Sequence, residues 1–271
     1  MSNTPVDAGA HSDHDHGHHH AHDHHHYDHY DAAMANRLDA FYGRIDGRLN
    51  GRIAEWVKGE SVLDVGCGFG PLTEYLRSKG FKATGVDLLE QCVLEGQKRY
   101  PQADLRVAQS ETLEFPDKSF DTVVLKDVIH HVYEEDDIGE FLADVKRVAR
   151  QRLVVLDPNP TFILKLARRI IGHIDPVCVP ADAVRVVTDA GFKVVKLDYS
   201  ELFAFPMSGG YVGPVMVPAH PRFIGSIVMG LDSALMGLVK AIGLGRMVGW
   251  RYLLVADIPQ DAQAGLEGNT K

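Results

Sequence analysis

The chain has 271 residues, of which 45% are hydrophobic and 24% are charged, enough for one α/β domain with a substantial core. Its formal net charge is −9, but without the five Asp of residues 1–29 it has 32 acidic against 28 basic residues, which argues against a nucleic-acid-binding surface. The three cysteines have no close neighbour in sequence, which argues against a disulfide framework or a zinc knuckle and fits a reducing cytoplasm.

Residues 1–29 form a low-complexity tract that holds eleven of the fifteen histidines. The tract has almost nothing apolar to bury, so we expect it to be disordered. One folded domain is expected to follow over residues 30–258, and then a flexible tail over 259–271. Imidazoles and carboxylates at irregular spacing suit loose capture of a divalent metal, but also a solubilising tail without that role. No basic and then apolar segment opens the chain, so no signal peptide is expected.

From residue 31 onward, the apolar spacing predicts one helix over 31–58 and then alternating strands and helices. The strands are expected at 61–65, 82–86, 104–107, 120–125, 152–156, 192–199 and 250–257. The helices between them are expected at 71–79, 89–99, 136–148 and 181–190. This alternation predicts a doubly wound, Rossmann-like α/β fold with a mostly parallel sheet and helices on both faces. An insertion rich in Gly, Pro and Met, 206–245, precedes the last strand.

A glycine-rich turn follows the first predicted strand, with the spacing Gly66-Cys67-Gly68-Phe69-Gly70. Glycines allow a sharp turn and close approach to a ligand, and the helix that opens at Pro71 points its free N–H groups at that ligand. The spacing G-x-G-x-G differs from the G-x-G-x-x-G of dinucleotide enzymes. Asp64, two residues upstream, suits a cationic amine such as the one on S-adenosylmethionine, although it can also simply brace the turn.

Three further segments are expected to complete the same pocket. Asp87 ends the second strand, 23 residues after Asp64, where a carboxylate can accept both hydroxyls of a ribose. Leu88 is placed to lie against an adenine face, and the polar groups of residues 109–111 are placed to meet its edge. The buried strand 120–125 continues into Lys126 and Asp127, and its end is expected to reach the reaction centre.

Together these segments resemble the class I S-adenosylmethionine-dependent methyltransferases of the quinone-biosynthesis type, often called methyltransferase type 11. The resemblance covers roughly residues 27–200 and depends on the glycine loop, Asp87, the run "ETLEFPDKSFD" and the run "HHV". It implies a seven-stranded sheet with an antiparallel last strand and S-adenosylmethionine bound across the strand tips. The cofactor-binding residues are then expected to be Asp64, Gly66, Cys67, Gly68, Gly70, Asp87, Leu88, Gln109, Ser110, Glu111 and Lys126.

Within this resemblance, Gly66 and Gly68 would line the methionine end of the cofactor, and Gln109 and Ser110 would border its adenine. The family often has Asp where Gln109 stands, and the amide oxygen of Gln109 can still contact the adenine amine. Cys67 is expected to fill space in the loop, because no base lies near it in sequence to activate a thiolate.

Methyl transfer from a sulfonium needs little acid–base help, so alignment of the acceptor and exclusion of water matter most. One of His130 and His131 is expected to pack against its surroundings, and the other could face the acceptor as a general base. Asp127 competes for the same role.

The acceptor pocket is expected to be covered by the N-terminal segment, with Tyr27, Tyr30, Phe41 and Tyr42, and by the insertion 206–245. In the insertion, an apolar stripe from Ile224 to Ile242 predicts a helix packed on the core, with Met229 and Met236 off that stripe. Asp232 and Lys240 make this helix a poor candidate for crossing a membrane. Its apolar surface is also compatible with a twin subunit, a membrane surface or a hydrophobic acceptor such as a prenylated quinol or a polyketide-like phenol.

The leading functional hypothesis is transfer of a methyl group to O or C of a small, hydrophobic acceptor, with no nucleic-acid partner. A nicotinamide-dependent oxidoreductase is disfavoured by the glycine spacing. A metal-handling protein on a methyltransferase scaffold is the other alternative, which deletion of residues 1–29 would test.

Overall fold

The computed structural model describes residues 35–110, 112–133, 138–162, 164–165, 178–210 and 213–259. The His-rich tract, Tyr27, Tyr30, Glu111 and the C-terminal residues from 260 lie outside these ranges. The strands are β1 (Ser61–Val65), β2 (Lys82–Asp87), β3 (Asp104–Val107), β4 (Phe120–Lys126), β5 (Ala149–Pro158), β6 (Lys193–Ser200) and β7 (Arg251–Asp257). The helices are α1 (Phe41–Ala54), α2 (Pro71–Ser78), α3 (Glu90–Arg99), α4 (Ile129–Val132), α5 (Ile138–Val148), α6 (Pro180–Asp189), α7 (Ala204–Ser208), α8 (Arg222–Ala241) and α9 (Gly245–Val248).

The seven strands form one sheet in the order β3-β2-β1-β4-β5-β7-β6. Strands β1 to β5 pair in parallel, and β7 runs antiparallel to both β5 and β6. Two apolar cores lie on its two faces, one with α5 and α6 and the other with α1 and α2. The predicted α/β fold with an antiparallel last strand is therefore confirmed.

The central strands are apolar because both of their faces are covered. Leu63 of β1, Val123 and Val124 of β4, and Val154 and Val155 of β5 are fully buried. Helix-connected parallel strands have this composition, whereas a sheet with one wet face alternates apolar and polar residues. The burial therefore explains why the strand bounds follow so closely from the apolar runs of the sequence.

The predicted single helix over 31–58 is wrong in its extent. A short 3₁₀ turn occupies Asn36–Asp39, Ala40 is extended, and α1 then runs only from Phe41 to Ala54. The chain bends so tightly that a Cβ on Gly43 would lie 1.8 Å from the carbonyl oxygen of Leu38. The periodic apolar residues conceal this break, because Leu38 of the turn is partly buried and α1 buries its apolar residues against the same domain.

Helix α8 packs on the core through only part of the predicted apolar stripe. Ile224 and Val228 are partly buried against the core, whereas Ile227, Leu231 and Leu238 of the same stripe are exposed. The most buried residues of the helix are Gly225, Asp232 and Met236, which lie off that stripe.

Polar contacts explain this orientation of α8. The Arg48 guanidinium on α1 donates to Asp232 Oδ2 at 2.9 Å and also pairs with the buried carboxylate of Glu201. Nearer the start of α8, Arg44 donates to the Arg222 carbonyl at 2.7 Å and to Ser226 Oγ at 2.8 Å. The other oxygen of Asp232 accepts the backbone N–H groups at the start of α7, which belong to Leu202, Phe203 and Ala204.

We expect Asp232→Ala to lower the free energy of unfolding by about 3 kcal/mol, because it removes one of the two carboxylates that pair with Arg48 and leaves three N–H groups without an acceptor. Urea denaturation measures the loss. Ser226→Ala, which removes an exposed contact on the same helix, should change stability by less than about 0.5 kcal/mol. Equal effects of the two substitutions would contradict the role given to Asp232.

Candidate active site

The carboxyl ends of the parallel strands meet at one edge of the sheet. The chain builds outward from β1 through β2 to β3 and then crosses to β4 on the other side of β1, so the strand order reverses between β1 and β4. Ligands of open α/β sheets bind outside the strand ends at such a reversal. Every described residue of the predicted site lies in this region or in the turns that leave it.

The glycine turn after β1 is held against the end of β2. The backbone N–H groups of Gly66 and Cys67 both donate to the Val86 carbonyl, at 2.8 and 3.0 Å. Gly66 and Gly68 have φ angles of +71° and +53°, which favour glycine. A Cβ on Gly66 would lie 2.4 Å from Val128, whereas a Cβ on Gly68 would meet nothing within 4 Å. The open side of the turn is therefore at Gly68.

Asp64 lies beneath this turn and lacks a full set of partners. Its Oδ2 accepts the Thr73 hydroxyl at 2.7 Å, while its Oδ1 is buried without a hydrogen-bond partner among the described residues. Burial raises the pKa of Asp64 to about 7, against the lowering effects of the Thr73 hydrogen bond and the Lys126 charge. A buried carboxylate oxygen with no donor is suited to a cationic ligand group.

Asp87 connects the tip of β2 to the glycine turn. Its two oxygens accept the backbone N–H of Gly68 at 2.7 Å and that of Leu89 at 2.9 Å. Burial raises the pKa of Asp87 despite these hydrogen bonds. A carboxylate has about four acceptor positions, so Asp87 retains capacity for ligand hydroxyls.

The remaining predicted cofactor residues divide into two groups. Leu88, Gln109 and Ser110 are exposed. They lie near Asp87 because the Ala108 N–H donates to the Asp87 carbonyl at 2.8 Å and keeps the two strand ends together. The second group is Cys67, Gly70 and Lys126, whose side-chain positions border other parts of the protein. Cys67 packs on Val93 and Leu105, a Cβ on Gly70 would meet Leu105, and Lys126 donates to Asp46 at 2.5 Å and Asn50 at 2.7 Å.

The other half of the site follows β4 and is built from two charge pairs. His130 Nδ1 lies 2.8 Å from Asp157 Oδ1 in a buried pair, and Asp127 forms an ion pair with the buried Arg251. The Arg251 guanidinium lies 4.4 Å from the centre of the Phe205 ring. Of the two histidines proposed as bases, His130 therefore has a carboxylate partner that orients its ring.

The pairings set the pKa values in opposite directions. Burial alone would lower the pKa of His130, but the carboxylates of Asp157 and Asp127 outweigh it and raise that pKa. Burial alone would raise the pKa of Asp127, but the positive charges of Arg251 and Lys126 outweigh it and lower that pKa. Asp127 is therefore a weaker proton acceptor than an ordinary carboxylate, whereas the raised pKa makes His130 the stronger base of the two.

Sequence reasoning missed Asp157, Arg251 and Phe205. Asp157 had a signal, because it ends an apolar strand in the same way as Asp64 and Asp87 end theirs. Arg251 had none, because only the antiparallel pairing of β7, with Arg251 opposite Pro158, brings it to this edge.

Comparison with known proteins agrees with this geometry. A family model described as a methyltransferase domain matches residues 63–156. A probable S-adenosylmethionine-dependent methyltransferase of Mycobacterium tuberculosis is 31% identical over 219 residues, covering 80% of this chain and 72% of that protein. A demethylmenaquinone methyltransferase of Tropheryma whipplei is 32% identical over 136 residues, 48% of this chain and 54% of that protein. This chain thus aligns with only about half the length of the Tropheryma relative.

Solved structures share the fold. The crystal structure of a SAM-dependent methyltransferase from Archaeoglobus fulgidus superposes with a TM-score of 0.59 over 84% of this chain and all of that chain, at 16% identity. Together with the Mycobacterium relative, this shows the class of protein: the chain belongs to the S-adenosylmethionine-dependent methyltransferases. S-adenosylmethionine is the methyl donor that this family uses.

We expect the stability of the ligand-free chain to fall between pH 5 and pH 8, in part because of Asp64. Its pKa is raised from 3.8 to about 7 on folding, so the folded state binds the proton more tightly, and that stabilisation is lost as the pH rises through 7. Asp64→Asn should reduce the fall in unfolding free energy by about 2–3 kcal/mol. Urea denaturation at both pH values measures it.

Asp104→Asn, which changes a half-exposed carboxylate whose pKa is lowered by Arg106, is the matched control and should keep the wild-type pH dependence between these values. An Asp64→Asn chain with the same pH dependence as the wild type would show that Asp64 is already ionised in the folded protein.

Proposed function

We propose that this chain binds S-adenosylmethionine at the glycine turn and transfers its methyl group to an oxygen or carbon atom of a small, hydrophobic acceptor. The observation that carries the proposal is the unpartnered Oδ1 of buried Asp64, at the end of the strand that leads into a glycine turn with open space at Gly68. A buried acceptor without a donor is unfavourable unless a ligand supplies one, and the ammonium group of the cofactor has that chemistry.

The other described residues of this edge fit the rest of the cofactor. Asp87 would hold the ribose hydroxyls through the acceptor positions that Gly68 and Leu89 leave free. Exposed Leu88 would lie against the adenine, and Gln109 and Ser110 would border it. The contribution of Gly66, Cys67 and Gly70 would be the backbone shape of the turn. Val128 occupies the space next to Gly66, and Leu105 occupies the space next to Cys67 and Gly70.

S-adenosylmethionine, when bound, supplies a methyl group activated by a sulfonium, whose leaving group is neutral. The chain must therefore orient the acceptor, exclude water and, for a hydroxyl acceptor, remove one proton. His130 is proposed to accept that proton at Nε2, since Nδ1 is engaged with Asp157. Asp157 is a positioning residue, which holds the ring and stabilises the imidazolium that forms.

The wall of the acceptor pocket is proposed to be aromatic. Phe205 packs edge-on against Tyr42, with ring centres 6.3 Å apart, and lies 6.4 Å from Trp250. Its ring also covers Arg251. Phe205 belongs to α7, and the last residues of α7 open the segment 206–245. The proposed lid is therefore limited to the start of that segment. The name of the Tropheryma relative, a demethylmenaquinone methyltransferase, also favours a hydrophobic ring as acceptor.

We expect titration calorimetry to show binding of S-adenosylmethionine and of its demethylated product, and no binding of NAD. Asp87→Ala should weaken cofactor binding roughly ten- to a hundredfold, because charged hydrogen bonds to the ribose and to the Gly68 N–H are lost. Asp104→Ala, which removes a carboxylate at the opposite end of the neighbouring strand, should bind normally. Tight NAD binding without a response to S-adenosylmethionine would refute the proposed function.

We expect His130→Gln to abolish most methyl transfer to a hydroxyl acceptor while leaving the cofactor dissociation constant unchanged. Radiolabelled methyl transfer to a prenylated quinol, a polyketide-like phenol and water-soluble catechol measures the rate. In the wild type the rate should rise with pH through a pKa above the ordinary value of 6.5 for histidine, because His130 must lose its proton first.

Asp157→Asn should move this pH profile to lower pH, because it removes the carboxylate that raises the pKa of His130. His220→Gln, an exposed histidine in the insertion, is the control and should leave both rate and profile unchanged. An unshifted profile in Asp157→Asn would show that the titrating base is not His130, and transfer to catechol alone would refute the hydrophobic acceptor.

A further inference from the structure

Helix α8 exposes an apolar side to solvent. Its inner side packs Ile224, Val228 and Met229 on the core. Polar contacts also hold that side: Arg44 at Ser226, Arg48 at buried Asp232, and Lys240, whose ammonium group lies 2.6 Å from Asp198 on β6. A helix on the surface of a globular domain normally exposes polar residues instead. The exposed apolar side is therefore not the result of loose packing, because polar contacts hold the helix in this orientation.

The outer face of α8 is continuous over more than five turns. We define it by six residues whose relative exposure lies between 44% and 62%: Phe223, Ile227, Leu231, Leu235, Leu238 and Ile242. Their spacing of three and four residues places them on one side of the helix. Contiguous apolar surface of this length on a soluble domain marks an interaction site.

The charges that residues 213–249 leave outside ion pairs are basic. Asp232, the single carboxylate of these residues, is buried in its pair with Arg48, and Lys240 is paired with Asp198, which leaves Arg222 and Arg246. Arg222 lies at the start of the helix and Arg246 just beyond its end, and both are exposed. The whole chain has a net charge of −9, so this basic surface is a local exception.

From these observations, we infer that the outer face of α8 docks on the surface of an anionic lipid bilayer. An apolar stripe bordered by exposed arginines is the composition of a helix that lies in the interface, with its apolar side in the acyl region and its cations near the headgroups. By length and composition α8 could cross a membrane, and only 17% of an apolar 18-residue stretch of it is buried in the protein. It lies flat rather than crossing, because its inner side binds Arg48 and Asp198 of the domain.

The same charges disfavour a second copy of the chain as the occupant. Pairing two outer faces antiparallel would bring Arg222 of one copy toward Arg246 of the other. Pairing them in parallel would bring each Arg222 toward its equivalent. Either arrangement places like charges together without an exposed carboxylate from residues 213–249 to separate them. An anionic headgroup layer supplies the missing negative charge.

The experiment is sedimentation of the full chain with large unilamellar vesicles, made either of phosphatidylcholine alone or of phosphatidylcholine with phosphatidylglycerol. The chain should bind the anionic vesicles more strongly, and added salt should weaken that binding. Leu231→Glu should lower the partition coefficient about tenfold or more, because a leucine leaves the acyl region and a negative charge enters it. Leu94→Glu, an equally exposed leucine on α3, should bind as the wild type does.

Failure of the wild type to bind anionic vesicles, or equal binding by Leu231→Glu, would overturn the inference. A dimer in analytical ultracentrifugation that Leu231→Glu converts to a monomer, without vesicle binding, would assign the face to a second copy instead. The readout is binding and not methyl transfer, so it is independent of the proposed function. An unchanged dissociation constant for S-adenosylmethionine in both variants would show that they are folded.

Discussion

Burial of carboxylates at one edge of a parallel sheet is the constraint on which this site depends. Asp64, Asp87 and Asp157 end β1, β2 and β5, and burial raises the pKa of each one. Removing a carboxylate from water is costly unless hydrogen bonds or opposite charges replace the water. The three residues differ in the kind of partner that the protein supplies: a hydroxyl for Asp64, backbone N–H groups for Asp87 and an imidazole for Asp157. This difference divides the edge into two halves.

On the β1–β2 half, backbone N–H groups serve Asp87, while one oxygen of Asp64 is left without a donor among the described residues. On the β4–β5 half, His130 serves Asp157, and Arg251 serves Asp127. The first half therefore retains unmet acceptor capacity for a cationic, hydroxyl-bearing ligand. The second half holds two charge pairs, although Asp157 Oδ2 is, like Asp64 Oδ1, buried without a hydrogen-bond partner among the described residues. The group of this half that can accept a proton from a ligand is the remaining nitrogen of His130. The strand reversal between β1 and β4 places these two halves next to each other.

The sequence was sufficient to predict the sheet. The structure places the predicted glycine turn next to Asp87, and the role of these residues in binding stays a prediction. Fully buried strands are apolar along their whole length, and the glycine turn and Asp87 are local features of single segments. The other half could not be predicted, because the partners are distant in sequence: 27 residues separate His130 from Asp157, and 124 separate Asp127 from Arg251. For α8 the apolar periodicity was correct, but burial depended on Arg44 and Arg48 of another helix, which hold its polar side inward.

The orientation of α8 also affects the reacting edge, because the chain runs from α8 through α9 directly into β7. Two hydrogen bonds from Asn159 hold this connection. Its side-chain amide donates to the Gly249 carbonyl at 2.8 Å, and its backbone N–H donates to the Trp250 carbonyl. These bonds set the register in which Arg251 lies opposite Pro158 and reaches Asp127. Buried Met236 of α8 lies beside Gly249, where a Cβ would be 3.3 Å from its Cε. This apolar contact and the ion pairs of Asp232 and Lys240 therefore both anchor the connection that leads into β7.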